Sequence, residues 1–148
     1  MAGEELITAH VEETGDSAYA VNITVSGHTL KGDEPVSFGG GNLGPAPYDM
    51  LLAALGECTA MTVRWYALQQ KWPLEKVEVK LSHRKVNATE LPEGTGKVGK
   101  IGKIDVFEKE IIVHGDALTD EQRKKLVDVA AKCPVQRTLQ SDVVIRTL

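Results

Sequence analysis

One run limits this chain more than any other: residues 47–72, PYDMLLAALGECTAMTVRWYALQQKW. Wound as a helix, it is apolar on nearly every face, which suits the middle of a core rather than its surface. Leu, Ala, Met and Gln favour the helix throughout. Pro47 is tolerated in the first turn, where a missing N–H costs nothing, and Asp49 sits where the helix dipole favours an anion. Pro73 disfavours a helical residue before it, so the helix is predicted to stop at Trp72. Such a helix is about 37 Å long at 1.5 Å per residue. That length in a chain of 148 residues predicts that a second subunit covers part of it.

The length predicts one domain, residues 1–148. A net charge of −4 gives no reason to expect nucleic acid or an anionic membrane as partner. Asp49, Glu57 and Arg64 interrupt the long helix, which argues against a membrane span. Residues 1–5 lack the basic start and apolar run of a secretory signal. A cytoplasmic location is the expectation, and in a reducing compartment the two cysteines are not expected to form a permanent disulfide.

Residues 6–13 and 19–26 read as strands joined by a turn at 14–17, and 28–31 as a short third strand of an antiparallel meander. Residues 33–46 form a Gly/Pro-rich loop. Its Gly39-x-Gly41-x-x-Gly44 spells a dinucleotide fingerprint, but Pro45 and Pro47 stand where the helix of that motif should already be running. Residues 75–84 and 104–113 are strands, and in the second the apolar phase shifts between Val106 and Phe107, the pattern of a bulge. Between them, Gly94 to Lys100 spells GxxxxGK. Ile101 stands in place of the magnesium-holding Ser or Thr, and no helix follows to receive phosphates. Residues 119–132 are a second helix with a capping box, Thr119 and Gln122. Residues 134–139 restart as a helical turn, and 142–148 read as a closing strand. The order β-β-β-α-β-β-α-β predicts an α+β fold with sheets on a central helix.

Cys58 lies mid-helix among apolar side chains. Cys133 precedes Pro134, and a helical turn starting there would favour its thiolate. By spacing alone, two inert core thiols explain the pair at least as well, because Cys is often simply buried. Glu57 and Arg64, seven apart, share a helix face and suggest a salt bridge. His83 falls on the inward face of its strand, as a hydrogen-bonded core histidine does. No metal-ligand spacing is present, so no metal is expected.

Two segments together resemble the OsmC/Ohr family, the osmotically inducible and organic-hydroperoxide-resistance proteins. These are GPAPYDMLLAALGECTAMT around Cys58 and CPVQRTL starting at Cys133. The order of elements is similar over essentially the whole chain. The resemblance implies an OsmC-like fold and an intertwined homodimer with paired long helices at its centre. It also implies that Cys58 attacks a hydroperoxide to give a sulfenic acid, that Cys133 condenses with it to a disulfide, and that a dithiol reductant restores both, with no cofactor needed. The family pattern carries an Arg in the first strands and a Glu ten positions before the first cysteine. Here Tyr48 occupies the Glu position, and the first fifty residues hold no Arg. Tyr48, Asp49, Glu57 and Arg137 are the candidates for supporting roles. The function expected is thiol-dependent reduction of organic hydroperoxides. The rival is a small-ligand-binding or structural dimer on the same fold with passive cysteines.

Overall fold

The computed structural model describes residues 5–91 and 102–148. It divides into two compact units, Met1–Ala53 and Ala54–Leu148. The first carries strands β1 (Ala9–Glu13), β2 (Val21–Val25) and β3 (His28–Gly32), in the sheet order β1-β2-β3 with both pairings antiparallel. Ser26 and Gly27, at φ 49° and 79°, both take the left-handed conformation that a two-residue hairpin needs to match strand twist. That turn sets where β1 begins. Its last partner on β2 is Val25, opposite Ala9, so Leu6 and Ile7, expected in the strand, lie before it and are exposed.

The loop after β3 is built on Asp33, a buried carboxylate. It accepts hydrogen bonds from the Ser17 hydroxyl at 2.9 Å and from the backbone N–H groups of Glu34 (2.8 Å), Gly41 (3.0 Å) and Leu43 (3.2 Å). Burial pushes this carboxyl up, but the four donors outweigh it and hold it below the usual carboxylate range. A group depressed in the fold stabilises above its unfolded value and ceases to do so as pH falls. The NMR amide signals of Gly41 and Leu43 should therefore shift and broaden as pH drops through the carboxylate range. Asp33→Ala should reach the same state at neutral pH, and pH-independent signals in the parent would contradict this account.

Helix α1 spans Pro47–Gln70. At its start the Asp49 carboxylate accepts the Ala46 N–H at 2.9 Å. It ends two residues before the predicted Trp72. Lys71 turns left-handed at φ 56°, Lys71 N–H bonds Leu68 O (3.1 Å), and Trp72 N–H bonds Ala67 O (2.9 Å). This is a Schellman stop, with Lys where Gly is usual.

In the second unit, β4 (Lys76–Asn87) and β5 (Lys103–His114) pair antiparallel over their whole length, from Lys76↔His114 to Asn87↔Lys103. The register is unbroken, so the expected bulge is absent. Val106 and Phe107 are both half-buried, which shows that the apolar phase shift reflects cover on both faces. The loop containing GxxxxGK falls largely on residues 92–101, outside the described residues.

Helix α2 (Asp120–Ala130) starts on the predicted capping box: Gln122 N–H bonds Thr119 Oγ1 at 3.1 Å, and Thr119 N–H bonds Gln122 Oε1 at 3.0 Å. Its Leu126 and Ala130 join Val63 and Ala67 of α1, Leu74 and Leu118 in one buried cluster, against which Ile111 and Val113 of β5 pack. Gly56 lets β4 approach α1, because a Cβ there would stand 2.7 Å from Leu81 Cδ1. A short α3 (Pro134–Gln140) follows.

Two further expectations are corrected. Residues 142–148 form no strand among the described residues, and Val144 and Ile145 are exposed; apolar β-branched composition makes a strand only where an edge receives it. Glu57 and Arg64 do not pair either. The Arg64 guanidinium instead donates to Leu74 O (2.6 Å) and Glu75 O (3.1 Å), bracing the turn after α1.

Candidate functional site

Cys58 and Cys133 both belong to the second unit. Cys58 projects from α1 half-buried, while Cys133 is fully buried. Cys133 is the N-cap of α3, with extended backbone (φ −66°, ψ 143°) and Pro134 following. Its sulfur does what a capping oxygen does, accepting the Gln136 N–H at 3.3 Å. Cys58 is near enough to act on the same sulfur electrostatically.

Two side chains that sequence reasoning missed complete the site. Thr59, buried on α1 directly after Cys58, places its hydroxyl 2.7 Å from Leu55 O and 3.5 Å from Cys133 Sγ. Lys109 reaches in from β5. Its ammonium donates to Thr59 Oγ1 (2.9 Å) and Ala130 O (2.7 Å), and stands 4.0 Å from Cys133 Sγ. The signal for Lys109 was present in the sequence: it alternates in phase with Phe107, Ile111 and Val113, the face that β5 turns to the core. A lysine in register with apolar positions either snorkels or has a buried partner.

Burial pushes the Cys133 thiol up, but the Thr59 hydroxyl, the Gln136 N–H, the Lys109 charge and the Cys58 thiol outweigh it, and the net direction is down. Desolvation pushes Lys109 down, and the two sulfurs, which pull it up, offset this only in part.

Tyr48 and Asp49 belong to the first unit, with Asp49 engaged at the start of α1. Glu57 and Arg137 are exposed and make no ion pair among the described residues. His83 bonds Asp105 at 2.8 Å and tilts against Phe107, a packing role. Gln136, beyond its N–H, has a buried side-chain oxygen without a partner among the described residues. Among those residues no group of three His, Cys, Asp or Glu is placed to hold a metal, and no helix is long and apolar enough to cross a membrane.

A family model described as OsmC-like protein matches residues 39–147, and the chain belongs to that family. The fold is similar to an OsmC-like protein from Mycoplasma pneumoniae, with TM-score 0.68 and 18% identity over 93% of this chain and 89% of that one. It is also similar to an organic hydroperoxide resistance protein OsmC from Legionella pneumophila, with TM-score 0.63 and 18% identity over 94% and 92%. The organic hydroperoxide resistance protein OhrB of Bacillus subtilis matches at TM-score 0.59 and 14% identity over 95% and 94%. No curated protein sequence matches the chain.

Proposed function

We propose that this protein reduces organic hydroperoxides through its two cysteines. The observation that carries the reading is a half-exposed Cys58 acting on a buried Cys133 whose sulfur accepts the Gln136 N–H and stands 4.0 Å from the Lys109 ammonium. The Cys58 thiolate attacks the terminal oxygen of the hydroperoxide. The O–O bond breaks, the alkoxide takes a proton and leaves as the alcohol, and Cys58 becomes a sulfenic acid. Cys133 attacks that sulfur, water leaves, and a disulfide remains. A dithiol reductant of the cytoplasm returns both thiols by exchange. No metal or cofactor takes part.

Met61, Trp65 and Leu68 extend from Cys58 along one exposed apolar stripe of α1. This supports two parts of the proposal: a hydrocarbon-bearing substrate, and a homodimer whose second subunit covers the stripe. Intact mass after brief exposure to cumene hydroperoxide tests the chemistry. The expected product has lost two hydrogens and contains a Cys58–Cys133 disulfide. Unchanged thiols would overturn the reductase reading in favour of a passive, ligand-binding or structural dimer.

A further inference from the structure

An ammonium taken partly out of water needs an anion, and Lys109 has no carboxylate partner among the described residues. Its three protons point at Thr59 Oγ1, Ala130 O and Cys133 Sγ, which is all a lysine can donate. Two of those acceptors are neutral. The third becomes an anion only by losing the thiol proton. We propose that Lys109 is the counter-ion of Cys133, holding it as the thiolate that captures oxidised Cys58, with the Thr59 hydroxyl oxygen accepting from the same ammonium.

The proposal rests on the reductase reading and assigns the division of labour within it. Cys58 is the reachable sulfur and meets the peroxide; Cys133, buried, never needs to. Once Cys58 is a sulfenic acid, the Cys133 thiolate forms the S–S bond and the S–O bond of Cys58 breaks. The hydroxide departs on the half-exposed side of Cys58 and becomes water by taking a proton from an acid of the buffer. A thiolate already present makes this step fast, because the thiol form is a poor nucleophile. A sulfenic acid that waits for capture is exposed to further peroxide and passes to sulfinic acid. Lys109 thus acts through Cys133, as a positioning residue. The titratable groups acting on the Cys133 sulfur are Lys109 from β5 and Cys58 from α1, and the direction of its shift agrees with an anion held there.

Two measurements on the full chain decide the matter. In a Cys58→Ser background Cys133 is the sole thiol, and its thiolate absorbance is followed against pH without peroxide. Lys109→Met should raise the midpoint by about one pH unit, a tenfold change in proton affinity, while Lys109→Arg, which keeps the charge, should stay near the parent. Equal midpoints for parent and Lys109→Met would overturn the proposal. So would a Lys109→Arg shift as large as that of Lys109→Met, since packing alone would then explain both. With both cysteines present and one equivalent of cumene hydroperoxide, Lys109→Met should close the disulfide about tenfold more slowly once Cys58 is oxidised, in proportion to the thiolate lost, so that more Cys58 is trapped by dimedone. Disulfide closure at the parent rate would also overturn it. A parent that forms neither adduct nor disulfide would sink the reductase reading instead, and the titration would still decide the counter-ion.

Discussion

Cys58→Ser is expected to abolish hydroperoxide turnover, reducing it to the rate of buffer and reductant alone. Serine keeps the shape and removes the nucleophile, since an alcohol with no base beside it does not attack an O–O bond at neutral pH. Cys133→Ser should behave differently. Cys58 remains half-exposed and still consumes one equivalent of peroxide, but no buried sulfur is present to capture the sulfenic acid. Steady-state turnover with a dithiol reductant should therefore collapse while the first oxidation survives. Intact mass should find one added oxygen, then two, on Cys58 as peroxide is raised. If both single variants kept the turnover of the parent, neither sulfur would be the reacting one.

The second large effect concerns stability. Leu126→Ala should destabilise the fold by about 3 kcal/mol, within the range for a fully buried leucine that leaves a cavity. Leu126 is 0% exposed and sits in the cluster with Val63, Ala67 and Leu118. With a urea slope of about 2 kcal/mol/M, the unfolding midpoint should fall by about 1.5 M. Val127, its neighbour on α2, is 43% exposed, and Val127→Ala should change stability by less than about 0.5 kcal/mol. A pair of variants with equal midpoints would mean that the buried cluster does not hold the second unit together. The experiment bears on the site as well, because the same helix supplies Ala130, whose carbonyl receives Lys109.

The local parts of this fold were readable because each has a local cause. The capping box at Thr119 and Gln122 and the antiparallel β1-β2-β3 meander depend on residues a few positions apart, and both appear as expected. Both cysteines were singled out on the segments that resemble the OsmC/Ohr family. What could not be read is what depends on contacts across the chain. The Glu57–Arg64 pair was inferred from helix spacing, but two backbone carbonyls beyond the helix hold the arginine. Residues 142–148 have the composition of a strand without, among the described residues, an edge to join.

The site divides the same way. That the thiols come from a central helix and from the residue before Pro134 follows from residue type and order along the chain, since caps and propensities act over one or two turns. That a lysine of β5 stands between a threonine of α1 and the sulfur of Cys133 does not. The charge balance of a thiol depends on which groups lie within a few ångströms of it and on how much water they exclude. Those distances belong to the packing of α1, β5 and α3 against one another, which no spacing along the chain encodes.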